Sequence, residues 1–520
     1  MVVDAQLRVG VVEHRGERRT DPGWKPRSSP IQPRSKRSPM SVLPAEKTTS
    51  HRWWVLVSLS LTQLVVVLDG TIVNIALPQA QTSLGLSDTE RQWVVTAYAL
   101  AFGALLLLGG RIADYAGRKR TYLVGMIGFG LASAWGGFAG GAVDLIAARG
   151  LQGLFAALMA PAALALLTVT FPSGRGRNTA FAVFGSVAGA GAAVGLVLGG
   201  LLTEFADWRW CLWVNVPIVL VSVVAGALLL RESRAEGDNR YDVAGTLTVA
   251  AGLASLVYGF TLAENGWGRP DTIGFIAAGA VLIALFVWIE SRVAQPLLPL
   301  RVILHRVRGG AFLMQAVAGS VMIGGTLYLT FHLQIVLGFS PLLAGLASLP
   351  LTVAIAIVAP VATTLLPRIG PRPLMIAGPL VGAVGLLLLS RITPGGAYVV
   401  EVLPALIVLG AGMGMLFVPL QNLALTGVAP HDAGAASATA NATMQIGGSL
   451  GLSIFTTIYA TASGHATGAS SAAALVDGYS AAFLAAAVGL VLAAVVAVVF
   501  IRGRKEDLLP SGEHVVVHAG

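Results

Sequence analysis

Apolar runs of about 17–25 residues recur from residue 53 to residue 501 of this 520-residue chain, and their length constrains the fold more than any other feature. They fall near 53–77, 92–110, 121–140, 143–169, 178–202, 211–230, 243–262, 272–290, 310–331, 342–366, 373–390, 402–425, 434–460 and 479–501. A helix rises about 1.5 Å per residue, so each run can cross the roughly 30 Å of hydrocarbon in a bilayer. Lipid offers backbone groups no hydrogen-bond partners, which leaves helices or closed barrels as spanning structures, and runs of this length read as helices. The expected fold is therefore all-α and integral to the membrane, with fourteen transmembrane helices. Glycine and proline inside the runs are tolerated there, because neighbouring helices satisfy the freed backbone groups.

Composition excludes the soluble alternatives. Charged residues make up 11% of the chain, against about 25% in a soluble domain. The net charge of +9 does not indicate a nucleic-acid partner, since the basic residues lie in tails and short loops and form no basic face. The single cysteine, Cys211, rules out a disulfide framework. The chain has no His/Cys cluster with metal spacing and no phosphate-cradling Gly-rich loop, so neither a metal nor ATP is expected. The expected partners are membrane lipids, a small amphipathic substrate and protons. No cofactor is expected, and the chain is expected to act as a monomer and not as an enzyme.

The charges orient the spans. Fourteen crossings put both ends on one side. The loops on that side hold fifteen basic residues (Arg111, Arg118, Lys119, Arg120, Arg175, Arg177, Arg231, Arg234, Arg240, Arg292, Arg301, Arg306, Arg308, Arg368 and Arg372), against Arg91, Arg209, Arg269 and Arg391 on the other. The positive-inside rule then makes both termini cytoplasmic. The bias toward Ala, Gly and Arg suits a GC-rich bacterium, so the expected location is its cytoplasmic membrane. Residues 1–52 read as a basic cytoplasmic tail, with 1–39 lacking apolar periodicity and Met40 an alternative start. His51-Arg52-Trp53-Trp54 is a basic-aromatic interface anchor. Residues 502–520 read as a second cytoplasmic tail.

Two ionisable residues fall inside spans. Asp69 follows Val65-Val66-Val67-Leu68 in the outer part of span 1, and Arg149 lies in span 4 with Gln152 one turn on. A charged side chain at membrane depth costs about 2.5–3.5 kcal/mol on insertion scales and is a functional candidate by default. Desolvation favours a protonated carboxyl and a nearby cation favours an ionised one, so Asp69 can take up and release a proton as its surroundings alternate. Arg149 stays charged. The competing readings are a fixed ion pair that only orients helices, and an arginine pinned by carbonyls. His332, at the end of span 9, is either a proton acceptor or a satisfied rim residue. Gln63, Asn74, Gln152, His332, Gln421, Asn422, Asn441 and Gln445 are candidates for lining a substrate cavity, although helix–helix hydrogen bonding explains them equally well.

Several motifs carry a family resemblance. The loop after span 2 reads Gly110-Arg111-Ile112-Ala113-Asp114-Tyr115-Ala116-Gly117-Arg118-Lys119-Arg120, with a weaker echo at Pro367-Arg368-Ile369-Gly370-Pro371-Arg372-Pro373 after span 10, which suggests an internal duplication. Asp114 sits among basic residues and can face a helix N-terminus. Span 1 ends Leu68-Asp69-Gly70-Thr71-Ile72-Val73-Asn74-Ile75-Ala76-Leu77-Pro78, span 4 holds Arg149-Gly150-Leu151-Gln152-Gly153, and Asn215-Val216-Pro217 lies in span 6. Together these resemble the fourteen-span drug:proton antiporters of the EmrB/QacA type, within the major facilitator superfamily.

The resemblance implies a six-plus-six core, here residues 53–230 and 310–501, joined by a linker region, 231–309, that carries two extra helices. It implies proton-coupled export of amphipathic small molecules by alternating access. Asp69 and Arg149 would couple protons, while Gly110, Asp114, Gly117, Arg118, Lys119 and Arg120 would form a conformational-switch loop. Gly191, Gly195, Gly199 and Gly200 match the family's antiporter-motif helix. Leu196 stands where that motif has proline and Ala182 where it has its first glycine, so the helix keeps a backbone bond and should bend less. A nutrient symporter on the same fold is the alternative, and a membrane receptor or integral-membrane enzyme a more distant one.

Overall fold

The computed structural model describes residues 48–171, 175–234, 242–263, 266–293, 296–298, 300–428, 433–464 and 471–503. These residues build fourteen long helices: α1 Thr48–Leu84, α2 Asp88–Ala116, α3 Arg118–Gly137, α4 Ala142–Thr170, α5 Arg175–Phe205, α6 Trp210–Leu229, α7 Val243–Leu262, α8 Pro270–Glu290, α9 Arg306–Val336, α10 Pro341–Ile369, α11 Pro371–Leu389, α12 Tyr398–Leu425, α13 Ala433–Gly464 and α14 Ser471–Phe500. Among the described residues twelve are long and apolar enough to cross a membrane. The exceptions are α3, which opens on Arg118-Lys119-Arg120, and α13, which is rich in Ser, Thr, Asn and Gly. Each expected run coincides with one helix. The segment before Thr48, with Met40, and the segment after Gly503 lie outside the described residues.

Three boundaries differ from the sequence reading. Residues 48–52, assigned to the tail, are the first residues of α1. At its other end α1 continues through Pro78 to Leu84, so Asp69 lies near the middle of the helix and not in its outer part. Arg91, counted as a loop residue, belongs to the first turn of α2 and is buried.

Local chemistry explains the turns. Gly85 adopts φ 63° after α1, and a capping box starts α2: the Glu90 amide donates to Ser87 Oγ at 3.2 Å and the Ser87 amide to Glu90 Oε2 at 2.9 Å. Gly117 (φ 115°) breaks α2 from α3, and Gly370 (φ 81°) breaks α10 from α11. Both backbones lie where side-chain-bearing residues are strained. These equivalent breaks fall in the two copies of the loop motif.

Helices α1–α6 pack as one bundle, in which α2 and α3 lie against α4, and α1 against α5 and α6. Helices α9–α14 form a second bundle, in which α12 lies against α10 and α11, and α9 against α13. The bundles meet along α2 with α13 and α5 with α10. Helices α7 and α8 pair with each other, and α7 covers the α2/α13 seam. There Gln92 Nε2 donates to Ser453 Oγ (2.7 Å) and Thr261 Oγ1 (3.2 Å), and Thr457 Oγ1 donates to the Phe260 carbonyl (2.9 Å). Large apolar side chains such as Leu131, Phe138, Leu228, Val281, Trp288 and Leu492 stand exposed around the body, more apolar surface than water would leave uncovered.

Small residues set the closest approaches. A Cβ at Gly109 on α2 would overlap the Ala157 carbonyl of α4, whereas one at Gly274 on α8 would meet nothing within 4 Å. Gly109→Ala should therefore destabilise the protein by about 1–3 kcal/mol through overpacking, while Gly274→Ala should be neutral or slightly stabilising. Unfolding of the two variants in detergent, followed side by side, checks this.

Candidate functional site

Asp69 is fully buried and every polar group around it comes from α1–α6. Its Oδ2 pairs with Arg149 Nη1 of α4 at 2.5 Å. Its Oδ1 accepts two hydrogen bonds of 2.9 Å, from Gln152 Nε2 of α4 and Asn215 Nδ2 of α6. Ser133 Oγ of α3 accepts from the same two amides, at 2.6 Å and 3.2 Å. Arg149 also donates to Gln152 Oε1 (2.9 Å) and to the Val94 carbonyl of α2 (3.2 Å), and its guanidinium carbon lies 4.4 Å from the centre of the Tyr98 ring. Five helices thus converge on one carboxylate. Asn215 Oδ1 is buried without a hydrogen-bond partner among the described residues.

The glycines of α5 bring α1 into place. Cβ atoms at Gly191 and Gly199 would sit 3.2 Å from Leu64 and 3.0 Å from Ile72, and one at Gly195 would strike the Thr71 hydroxyl. Three of the four motif glycines therefore let α5 close on the stretch of α1 that holds Asp69. The fourth, Gly200, turns to α10, where a Cβ would lie 2.5 Å from Leu342 Cα. Leu196 is part of a continuous α5, and its carbonyl is the surface against which Gly345 of α10 packs.

The loop motif is built around a residue that sequence reasoning passed over. Glu232, just after α6, accepts from the backbone amides of Lys119 (3.1 Å) and Arg120 (3.2 Å) and so caps the N-terminus of α3. Asp114 does not fill that place. It binds the Arg118 side chain instead, accepting from Nε at 3.0 Å and Nη2 at 2.8 Å. Lys119 Nζ reaches the Ala227 carbonyl (2.7 Å), and Arg111 donates to the Pro296 carbonyl beyond α8 (2.8 Å). Gly110 faces Pro161 of α4.

The eight cavity candidates do not form one group. Gln152 belongs to the Asp69 cluster and is buried, and His332 is buried against Tyr479, so neither lines an open cavity. Desolvation leaves a buried amide seeking protein partners, and Gln152 finds them in Asp69, Arg149 and Ser133. Asn422 and Asn441 donate to carbonyls of their own helices, Val418 (2.9 Å) and Ser437 (3.1 Å). Gln445 packs against Gly103 in the α2/α13 seam. Gln421 and Asn441 are exposed, and Gln63 and Asn74 half-buried. Two small apolar cavities, one beside Val321, Leu329 and Phe483 and one beside Val73, Ala80 and Trp208, contain none of these residues.

Of the residues around Asp69, Ser133, Tyr98 and Asn215 were not among the expected site residues. Asn215 had a signal, an amide inside an apolar run. Ser133 and Tyr98 had none.

Two helical bundles with an ion pair buried inside one of them define a polytopic membrane carrier. The Major Facilitator Superfamily profile matches residues 59–452, and the chain belongs to that family. It is 46% identical over 417 residues to the puromycin resistance protein pur8 of Streptomyces alboniger, covering 79% of this chain and 83% of that one. It is 35% identical over 408 residues to the tetracenomycin C resistance and export protein of Streptomyces glaucescens, covering 78% and 75%. Among solved structures, the POT family transporter PepTSo superposes with a TM-score of 0.67 at 15% identity, over 87% of this chain and 98% of that one, which shows the shared fold.

Removing one member of the ion pair should cost more than removing both. Arg149→Met strands the Asp69 carboxylate and should destabilise by about 3–5 kcal/mol. Adding Asp69→Leu should return much of that loss, the coupling expected within one network. A double-mutant cycle of denaturant unfolding in mixed micelles measures it.

Proposed function

We propose that this protein exports amphipathic small molecules across a bacterial cytoplasmic membrane in exchange for protons, with both termini in the cytoplasm. The observation that carries the reading is a carboxylate buried at mid-helix and paired with an arginine, in a chain whose relatives are named for antibiotic resistance and export. The fifteen-to-four split of basic residues supports the orientation. The work is translocation, with no bond made or broken in the cargo.

The geometry supports a coupling of this kind. A proton on Asp69 cancels the charge that Arg149 pairs with. Arg149 then keeps the Val94 carbonyl, Gln152 Oε1 and the Tyr98 ring, so it remains satisfied while α1 is released from α4. The change reaches the second bundle along α1, because Gln334 of α9 donates to the Ile75 carbonyl at 2.9 Å, about two turns from Asp69. It also reaches α10 through α5, which lies on both α1 and α10. The six-helix halves then rock about these contacts. The polar Gln421 and Asn441, exposed on α12 and α13, suit a wet passage better than lipid. One charge moved through 100 mV yields about 2.3 kcal/mol, and each pH unit about 1.36 kcal/mol. A few kcal/mol per proton supports a gradient of order 10² to 10³ for a neutral cargo.

The compounds in the relatives' names, puromycin and tetracenomycin C, are the first cargoes to try. In a sensitive host the protein should raise the growth-inhibitory concentration and lower accumulation of at least one of them, and an uncoupler should restore accumulation. Asp69→Asn should abolish efflux with the protein still in the membrane, and Arg149→Lys should impair it, since an ammonium cannot replace the planar fork of donors. Wild-type efflux by Asp69→Asn at several external pH values would refute the assigned role.

A further inference from the structure

A second buried cluster lies at the Asp88 end of α2, away from the Gly117 loop, and the Asp69 site makes no use of it. Arg91, in the first turn of α2, is 3% exposed. Its guanidinium carbon sits 4.3 Å from the centre of the Phe331 ring and 5.8 Å from that of Tyr459. Tyr328 and Tyr479 complete the wall: the ring centres of Tyr328 and Tyr459 are 5.5 Å apart, and those of Tyr459 and Tyr479 are 5.4 Å apart. His332 meets Tyr479 edge-on at 6.3 Å. The rings all come from α9, α13 and α14, in one bundle, and the cation comes from the other. In α9 the π-helical turns Val321–Gly325 and His332–Val336 bracket Tyr328 and Phe331, and such wide turns are frequent at functional sites.

Two observations separate this cluster from ordinary core. Tyr479 Oη and His332 Nδ1 are buried and have no hydrogen-bond partner among the described residues, although Tyr328 Oη pairs with Thr456 at 2.8 Å. Two costly vacant polar atoms therefore border a cage of aromatic faces. In addition, Arg91 has two polar partners in its own bundle, Asp88 at 2.9 Å and Gln81 Oε1 at 3.3 Å, and across the seam it donates to the Tyr459 hydroxyl. When the bundles part, Arg91 keeps the partners in its own bundle and leaves the rings and that hydroxyl.

We propose that the cage is a binding site for a monovalent organic cation that carries N–H donors, a guanidinium or ammonium group on an aromatic frame, and that Arg91 occupies it whenever the bundles are in contact. Ring faces attract a desolvated cation strongly and discriminate against a neutral group of the same shape. The vacant Tyr479 and His332 atoms accept the ligand's N–H groups. Arg91 thus seals the site in the closed arrangement and yields it in the open one. The inference rests on the carrier reading, since it needs the bundles to separate, but not on proton coupling at Asp69.

The test is calorimetric binding of benzylguanidinium to the purified full-length protein in detergent, with benzylurea as its uncharged isostere. Arg91→Ala should bind benzylguanidinium about tenfold more tightly than the wild type. Benzylurea should show no such gain, and adding Phe331→Ala should remove it. Arg91→Lys, which leaves a cation in the cage, should bind no more tightly than the wild type. Arg91→Gln gives the same comparison with a side chain that still reaches Gln81, if the alanine variant does not fold. In an Asp69→Asn background the gain should persist, so a failure of proton coupling is told apart from a failure of this site. Equal affinity of wild type and the Arg91 variants, a gain shared by benzylurea, or a gain that survives Phe331→Ala would overturn the proposal.

Discussion

A carboxylate placed among apolar helices has to be satisfied by protein, and the arrangement of α1–α6 follows from how Asp69 is satisfied. One oxygen takes the Arg149 charge and the other takes two amide donors, with Ser133 and the Val94 carbonyl absorbing what remains. No single helix could supply these partners. Helix α1 must therefore meet α4 and α6 at one level, and α2 and α3 must close behind them. Ion pairs of this kind contribute less to net stability than to selecting one arrangement over others. That suits the proposed role, in which one proton on Asp69 changes the arrangement.

The absence of side chains matters as much as their presence. Gly195 and Gly199 let α5 rest on α1 beside Asp69, while Gly200 and Gly345 let α5 rest on α10. The ion pair, confined to one bundle, is thereby one helix away from the other bundle. Helix α7, held by Gln92, Ser453 and Thr457, covers the second seam, so the α7/α8 pair is attached to both bundles.

Much of this was legible in the chain. Run length and spacing were enough to place the helices, because a bilayer-crossing helix leaves few other solutions for a long apolar stretch. Asp69 and Arg149 stood out because charges are rare in such stretches, and the repeated loop motif marked Gly117 and Gly370 before either backbone was seen. What stayed hidden had no compositional contrast. Ser133 is one serine among many, Glu232 is one acid in a charged loop, and Arg91 counted as a loop charge because its run of apolar residues begins only after it.

The sequence by itself determined the helices, their membrane setting and the two charged residues inside them, since each of these follows from local hydrophobicity or its interruption. Tertiary structure alone decided which polar groups face one another. It gave Asp69 its partners on α4 and α6, turned Asp114 to Arg118 and left the α3 N-terminus to Glu232. It also moved His332 and Gln152 from an expected cavity into buried clusters. The physical reason is that a helix's apolar pattern says how deeply it is buried but not its neighbour or its rotation. Those are set by close backbone approaches and by the need to satisfy each buried polar atom, which residues far apart in the chain must meet together.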